Sequence, residues 1–512
     1  MTRPFAPSGW LEALKGHLPF LLLFAVTLGF NLYGLTLFPR VGGDEGFLAN
    51  FAYLFHRHGM PIVNPNLSNV GCHKGFVFFF PSGSLYFCSL ALFGKLFGFG
   101  LFAMRSHALF FACLTLGLTY LMALLLWGSK MKGLLAALLL ATSTHFMSLA
   151  HAVRQEMMLT AVITLILALF LRWRTDPGRR GALLAGAFLC SAAVSIHGNG
   201  VYAVFYFLGV LGWAHWHGSK ISPRLWGELL IALAAGSLIF ILFDYAPVRA
   251  EYWHTFHAPI FQGAHLAHYG RLFSHPLQEI GLSFMNIGIY FWSTRLHSWI
   301  IYPVLYGSAL IGGFGLRSRE NDFLIFTILW MLLVFLPAHS MIYYFAYSLP
   351  LYALLLGSVL GDLASTFAKN PLFGRSSLFP AGLGLLFLLM AVHPVAHVWL
   401  RRDYDWEAQV RRVKAHIDDH SRFIADGAFF FGLVPENLYD HHPLKCGYDL
   451  KTFMRENHIR AVIVNQDISG VIHAAGENAL AGCRRTVVSA EFQTALGRKE
   501  APPVEIYECS PF

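Results

Sequence analysis

Long apolar segments recur along this chain and constrain its fold more than any other feature. Hydrophobic residues make up 56% of the sequence and charged residues only 13%, whereas an average soluble domain has about 25% charged residues. This balance excludes a soluble enzyme, a disordered chain and a fibrous repeat. It predicts an α-helical polytopic membrane protein, because roughly 20 apolar residues are enough to cross a bilayer. We identify eleven candidate spans, at residues 18–38, 103–127, 133–150, 157–172, 181–197, 200–216, 225–244, 297–316, 323–337, 343–361 and 377–399.

The distribution of basic residues among the loops predicts the orientation. Cytoplasmic loops of membrane proteins are enriched in Lys and Arg, and alternate loops of this chain are basic. The short loops on the opposite side hold one basic residue, Arg154. The pattern predicts a plasma (inner) membrane protein with a cytoplasmic N-terminus, and it accounts for the net charge of +9 without a nucleic-acid partner. The basic loops carry Lys130, Lys132, Arg172, Arg174, Arg179, Arg180, Lys220, Arg224, Arg317, Arg319, Lys369 and Arg375.

The segment at residues 76–97 is apolar enough to span, but a span here would invert the charge pattern of every later loop. Pro81, Gly83 and Lys95 also interrupt its apolar run. We therefore interpret it as lying in the membrane interface or packing re-entrantly on the helical bundle. The external side then has two long loops, at about residues 39–100 and 245–296.

The composition becomes polar after residue 400. This change divides the chain into a membrane domain at 1–400 and a C-terminal domain at 401–512, which eleven spans place in the extracytoplasmic (periplasmic) space. Helical spacing and alternating apolar residues predict a small α/β domain there. The predicted helix covers 406–417, and the predicted strands cover 422–426, 460–465 and 504–508.

Three cysteines lie in this polar domain, and disulfides form in oxidising compartments. We predict a disulfide between two of Cys446, Cys483 and Cys509. The pair Cys483–Cys509 is favoured, because both residues lie beside predicted strands.

Ionisable residues at a membrane face are costly and therefore indicate function. Asp44 and Glu45 follow two glycines just beyond the first span, in FPRVGGDEGFLAN. We expect a tight turn that brings both carboxylates against the bundle, where one could act as a general base or hold a divalent cation. The alternative is a solvated acidic pair that caps a helix.

Other ionisable residues fall on the same external side. Arg154 and Glu156 lie in HAVRQEMMLT, between the third and fourth spans, where they either bind substrate or only pair with each other. His73 and Lys74 lie in CHKGFVFFFP. A lysine at the interface either extends to the headgroups or binds phosphate as a compact charge.

Three aromatic residues complete the candidate set. Tyr343 and Tyr344, in PAHSMIYYFAYSLP, are either interfacial belt residues or substrate ligands, and His197 in SIHGNG is either a polar helix end or a ligand. The 25 histidines show no HExxH-like spacing, so we predict no structural metal. Together, the acids and bases predict a site at the membrane–water boundary for a substrate with a charged head and a long lipid tail.

These motifs resemble the GT-C integral-membrane glycosyltransferases. The resemblance is to the bacterial relatives of dolichyl-phosphate-mannose–protein mannosyltransferases and of aminoarabinose lipid A transferases, and it covers about residues 10–400. Such relatives often carry Lys-Pro-Pro where this chain has Lys74-Gly75. The matching segments are GGDEGFLAN, HKG, LFGFGLFAMRSHAL, VRQEMMLT and YYFAYSLPLYALLLG.

The resemblance implies a GT-C fold and an inverting transfer of a sugar. The donor would be a polyprenyl-phosphate-linked sugar, and the acceptor an envelope glycolipid of the lipid A type or a protein, with membrane lipids around both. Asp44 would be the catalytic carboxylate, with Glu45 beside it and Glu156 as the second acid. Arg154, Lys74 and Tyr343 would hold the donor phosphate. The full set of expected substrate-binding residues is Lys74, Arg154, His73, Tyr343, Tyr344 and His197.

Two other classes of protein stay open. One is a transporter or flippase of a lipid-linked sugar, and the other is a non-catalytic envelope assembly protein whose C-terminal domain is a binding module. Secondary transporters typically carry repeats and broken helices at the membrane midplane, whereas the charges of this sequence collect at one face. The sequence therefore favours the enzyme.

The predicted topology can be tested with a reporter fused after Leu400. We expect a reporter that works only outside the cytoplasm to be active, because the eleventh span ends on the external side. Activity from a reporter that works only in the cytoplasm would overturn the orientation.

Overall fold

The structure, a computed structural model, describes most of the membrane domain and most of the C-terminal domain. The described residues are 15–37, 39, 41–59, 83–219, 221–246, 302–335, 346–369, 378–400, 406–418, 421–433, 437–440, 444, 449–465, 468–476, 480–488, 491–494, 497–500 and 504–510.

The membrane domain is built of α-helices. In chain order they are α1 (Leu18–Gly34), α2 (Gly43–His58), α3 (Ser84–Phe97), α4 (Leu101–Trp127), α5 (Lys130–Ala141), α6 (Thr144–Ala150), α7 (Gln155–Thr175), α8 (Arg180–Ala192), α9 (Val201–Trp216), α10 (Pro223–Ile239), α11 (Tyr302–Gly315), α12 (Arg319–Phe335), α13 (Leu349–Lys369) and α14 (Leu378–Leu400). A π-helical turn at Phe240–Tyr245 extends α10.

Among the described residues, four helical segments are long and apolar enough to cross a membrane: Leu101–Trp127, Gln155–Thr175, Pro223–Tyr245 and Ala346–Phe367. Helices α5 and α6 meet at a bend of 68° and make a fifth crossing if they form one span. Shorter apolar helices include α1 and α3. A predominantly helical membrane fold is therefore confirmed, whereas the number of eleven spans stays a prediction.

Helix α3 covers residues 84–97 of the predicted segment 76–97, and the interpretation of that segment as non-spanning stays a prediction. Its 14 residues correspond to about 21 Å at 1.5 Å per residue, which is shorter than the roughly 30 Å hydrocarbon core. The rest of that predicted segment, residues 76–82, lies outside the described residues.

Helix α2 has clear start and stop signals. The Glu45 side chain accepts a hydrogen bond from the Gly42 backbone N–H at 3.3 Å, which is the backward half of a capping box. At the other end, Gly59 adopts φ +71°, and its N–H closes the helix on the Phe55 carbonyl at 2.8 Å. Such left-handed caps favour glycine. The sequence around the acidic pair therefore fixes a helix.

The C-terminal domain begins with helix α15 (Trp406–Lys414) and contains a five-stranded sheet in the order β2-β1-β3-β7-β4. Strand β1 is parallel to both β2 and β3, and β7 is antiparallel to β3 and β4. The three predicted strands appear as β1, β3 and β7. The elements are β1 (Arg422–Ala425), β2 (Leu438–Asp440), α16 (Leu450–Glu456), β3 (Ile459–Val464), α17 (Ser469–Gly476), β4 (Arg484–Val488), β5 (Glu491–Thr494), β6 (Gly497–Glu500) and β7 (Val504–Glu508).

The favoured disulfide is confirmed. Cys483 and Cys509 are bonded and flank the paired residues Arg484 and Glu508 of strands β4 and β7. The covalent link therefore closes the edge of the sheet that the antiparallel ladder already holds together. Cys446, the third candidate, lies outside the described residues.

Side chains on the two faces of the sheet enter different hydrophobic cores. Phe423 and Ala425 of β1 join a continuous core that includes the membrane helices, whereas Ile424 between them joins a core of the C-terminal domain alone. This split follows from the alternation of side chains along a strand. One face of the sheet is therefore packed toward the membrane domain.

Candidate active site at the start of helix α2

The two adjacent acids of the GGDEG motif have opposite environments. The Glu45 side chain is 5% exposed, whereas that of Asp44 is 77% exposed. Both belong to the first turn of α2 and not to the tight turn that we expected. Residues next to each other on a helix point in different directions, so one acid faces the bundle and the other faces the surface.

Glu45 forms a buried ion pair with Arg105 of α4. The guanidinium donates from Nε to Oε2 at 2.9 Å and from Nη2 to Oε1 at 2.7 Å. The Arg105 side chain is 0% exposed. Two parallel hydrogen bonds of this kind are among the strongest and most directional side-chain contacts.

Two further N–H groups of Arg105 donate to backbone carbonyls. Its Nη1 donates to the carbonyl of Leu35 at 2.9 Å, and its Nη2 donates to that of Pro39 at 3.0 Å. The backbone N–H of Val153 donates to Glu45 Oε2 at 3.0 Å. The pair therefore joins the end of α1, the start of α2, helix α4 and the segment before α7.

Arg154 links the exposed acid to a second, buried acid. Its Nη1 lies 2.8 Å from Asp44 Oδ2, and its Nη2 lies 2.9 Å from Glu156 Oε1. The Glu156 side chain is 2% exposed and sits in the first turn of α7, where the helix dipole favours a negative charge. Arg154 thus pairs with two carboxylates from segments that are more than 100 positions apart in the chain. One of these carboxylates is exposed and the other is buried.

Other polar groups surround Glu156. His197 and Tyr86 both interact electrostatically with it. The hydroxyl of Tyr86 and the Nε2 of Gln155 are buried and make no hydrogen bond within the part of the chain that the structure describes. Sequence reasoning missed both, and they are suited to hydroxyl-rich ligands because each can donate a hydrogen bond.

Asp244 anchors helix α3 beside this cluster. Its carboxylate accepts from the backbone N–H groups of Gly83 and Ser84 at 3.0 and 2.9 Å, and from the Ser84 hydroxyl at 2.8 Å. A β-carbon on Gly83 would stand 2.5 Å from Gln155 Nε2, so α3 abuts the start of α7. The polar face of the site is therefore packed from several sides.

Four expected ligands lie outside the described residues: His73, Lys74, Tyr343 and Tyr344. The structure brings together the remaining expected residues, which are Asp44, Glu45, Arg154, Glu156 and His197. Among the described residues, no group of three or more His, Cys, Asp and Glu side chains is arranged to hold a metal ion.

The structure contains some of the contacts that the non-functional interpretations predict. Arg154 does pair with Glu156, but it also reaches Asp44, so the pair is part of a larger cluster. Glu45 does cap α2, yet its carboxylate is buried on Arg105. That arginine lies just inside a predicted span, and an arginine in a span is costly enough to indicate a partner. This signal could have identified it.

The part of the chain that contains this site resembles a known protein family. A family model for the dolichyl-phosphate-mannose-protein mannosyltransferases matches residues 21–257, just under half of the chain. The matched range includes Asp44, Arg105 and Arg154. No curated protein sequence matches the chain.

Solved structures match the whole fold. ArnT from Cupriavidus metallidurans bound to undecaprenyl phosphate has a TM-score of 0.59 at 15% identity, with 99% of this chain and 100% of that chain covered. Its apo state has a TM-score of 0.57 at 14% identity, with coverages of 96% and 99%. The oligosaccharyltransferase AglB from Archaeoglobus fulgidus, in complex with an inhibitory peptide and a dolichol-phosphate, has a TM-score of 0.50 at 12% identity, with coverages of 94% and 74%.

The fold is that of the GT-C integral-membrane glycosyltransferases. In sequence the chain resembles the dolichyl-phosphate-mannose–protein mannosyltransferases, and in fold it resembles ArnT. The resemblance drawn from the sequence motifs is thereby confirmed.

The buried pair predicts that Glu45→Gln destabilises the protein far more than Asp44→Asn. Removing one charge of a buried pair leaves the other uncompensated, at a cost of about 3–5 kcal/mol. An exposed substitution usually costs within about 0.5 kcal/mol. Thermal unfolding of the purified protein in detergent would measure both.

The double variant Glu45→Gln/Arg105→Met serves as the control for this prediction. It removes the uncompensated charge and should unfold at a higher temperature than Glu45→Gln alone. Equal unfolding temperatures for Glu45→Gln and Asp44→Asn would show that the pair contributes nothing.

Proposed function

We propose that this protein is an inverting glycosyltransferase that moves a sugar from a polyprenyl-phosphate donor to a cell-envelope acceptor at the external membrane face. The observation that carries the proposal is the Arg154 cluster. It presents an exposed carboxylate, Asp44, next to a fixed cation and a buried second acid, Glu156. The undecaprenyl phosphate in ArnT and the dolichol-phosphate in AglB support a lipid-phosphate donor.

The chemistry assigns Asp44 the role of general base. The acceptor hydroxyl oxygen attacks the anomeric carbon, Asp44 accepts the hydroxyl proton, and the bond from that carbon to the phosphate oxygen breaks. The electron pair of that bond stays on the polyprenyl phosphate. This is a good leaving group, because its phosphate stabilises the negative charge. A single displacement of this kind inverts the anomeric centre. Cations near the departing phosphate stabilise the developing charge.

We assign the phosphate to Lys74, Arg154 and Tyr343, and the sugar to the polar groups around Glu156. His73, Tyr344 and His197 complete the proposed binding set. Glu45 acts in this scheme as a positioning residue, because Arg105 occupies both of its carboxylate oxygens. A divalent cation at Asp44 would be an alternative to the general-base role.

A small apolar cleft between α5, α11, α13 and α14 offers the isoprenoid tail of the donor an apolar surface to contact. Leu140, Tyr306, Tyr352 and Met390 are among its lining residues. Ser143, at the bend between α5 and α6, also lines the cleft. We propose that the donor tail lies there while its phosphate reaches the external face, where eleven spans would also place the 401–512 domain.

Asp44→Asn should abolish transfer without unfolding the protein. The substitution keeps the shape of the side chain but removes the basicity needed to accept the proton, and loss of such a group typically costs about 100- to 10,000-fold in rate. Transfer would be measured as release of polyprenyl phosphate from a labelled donor by the purified protein. The matched control is Asp176→Asn, an exposed acid that also pairs with an arginine but lies in a predicted cytoplasmic loop. Wild-type transfer by Asp44→Asn would remove Asp44 from the mechanism.

Lys74→Ala and Arg154→Ala should raise the donor concentration needed for half-maximal rate by about tenfold or more. Charge-assisted hydrogen bonds are each worth roughly 1.5–3 kcal/mol, and each 1.4 kcal/mol is about a factor of ten. Arg179→Ala, on the predicted cytoplasmic side, provides the control. If Arg154→Ala lowers only the maximal rate and leaves the donor dependence unchanged, Arg154 organises the carboxylates and does not hold the phosphate.

A further inference from the structure

Gly46 of the GGDEG motif takes no part in the proposed chemistry, but it has a structural role. It lies in α2, two positions after Asp44, and it is buried. A β-carbon built on Gly46 would overlap the backbone carbonyl of Gly427 in the C-terminal domain. Backbone atoms cannot swing aside as a flexible side chain can. Only glycine therefore permits this approach between the two domains.

The segment that approaches Gly46 is the 3₁₀ helix Gly427–Phe431, which we call the docking turn. Its three phenylalanines are at most 6% exposed. The Phe430 ring meets Tyr53 of α2 edge-on at a centroid distance of 6.2 Å, and the Phe429 ring lies 5.2 Å from that of Trp406 in α15. The docking turn is thus packed between α2 and α15.

The position of the docking turn is fixed by the sheet. It directly follows β1, whose two neighbours are the parallel strands β2 and β3. Asp426, between the strand and the turn, is 6% exposed and accepts from the Ala428 N–H at 2.9 Å. Gly432 after the turn packs closely against Val410 of α15. Displacement of the turn would therefore disturb the core of the C-terminal domain.

Helix α2 is consequently held from two sides. Arg105 holds Glu45 on the bundle side, and the docking turn presses on Gly46 and Tyr53 on the other. Asp44 comes one position before Glu45 and two before Gly46, so its 2.8 Å contact with Arg154 depends on the position of α2.

We propose that the C-terminal domain is part of the catalytic unit, because its docking turn holds α2 so that Asp44 meets Arg154, with Gly46 as the positioning residue that permits the contact. The inference rests on the proposed function, since it concerns the rate of sugar transfer. It also goes beyond it, because the proposed chemistry gives the C-terminal domain no part in the transfer.

The test is Gly46→Ala in the full-length protein. The added methyl group forces α2 and the docking turn apart, so the maximal transfer rate should fall by about 100-fold. The donor concentration for half-maximal rate should stay unchanged, because the nearest described atoms to a methyl group on Gly46 belong to the docking turn and not to the proposed donor site. Hydrogen exchange should rise in residues 43–58 and 427–431 and nowhere else.

Two glycine controls isolate the domain contact from general effects on helices. Gly117→Ala in α4 and Gly470→Ala in α17 each add a methyl group that meets nothing within 4 Å. Both should transfer sugar at the wild-type rate. Phe430→Leu provides a second variant that weakens the same contact from the C-terminal domain, and it should lower the maximal rate without changing the donor dependence.

The outcomes separate this inference from the proposed function. If the wild type transfers sugar and both Gly46→Ala and Phe430→Leu match it, the C-terminal domain has no catalytic role. If Gly46→Ala raises exchange throughout the protein and Phe430→Leu is fully active, Gly46 matters only for folding and the inference fails. If the wild type transfers no sugar, the proposed function fails, while local exchange changes would still report the domain contact.

Discussion

The buried pair between Arg105 and Glu45 is the interaction on which the rest of the site depends. A charged arginine with no exposed surface would be prohibitively costly in an apolar bundle unless it were paired and fully hydrogen-bonded. Arg105 is paired with Glu45, and Glu45 and the carbonyls of Leu35 and Pro39 together accept hydrogen bonds from four of its five N–H groups. Because those partners lie in different segments, satisfying one charge fixes the relative positions of α1, α2 and α4.

This constraint gives the two neighbouring acids, Glu45 and Asp44, different positions and different roles. Glu45 is buried in the helical bundle on Arg105. The same helical turn directs Asp44 to the surface, where it pairs with Arg154. Arg154 in turn holds Glu156 at the start of α7. The Glu45–Arg105 contact is buried and the proposed catalytic carboxylate is exposed, as is required of a group that must be positioned closely yet reached by an acceptor. The docking turn supports α2 from the C-terminal domain.

Much of the fold could be predicted from the sequence, because apolar length and loop charge are local properties of the chain. The acidic motif and Arg154–Glu156 were recognisable as candidates for the same reason, since charge at a membrane face is costly wherever it occurs. The partners were not predictable. Arg105 and Glu45 are 60 positions apart, and only the packed bundle brings them together. The role of Gly46 was not predictable either, because it emerges only when the fold brings Gly427, which is far away in the chain, against it.

Transfer of a sugar to an envelope acceptor by the Asp44–Arg154 cluster should change the mass of that acceptor. Mass spectrometry of envelope lipids and glycoproteins detects such a change, in cells with the wild-type gene, with the Asp44→Asn variant and with no gene. We expect an acceptor that is heavier by one sugar residue only in the wild-type cells. Identical envelope spectra in all three would contradict it, and so would the same modification in wild-type and Asp44→Asn cells.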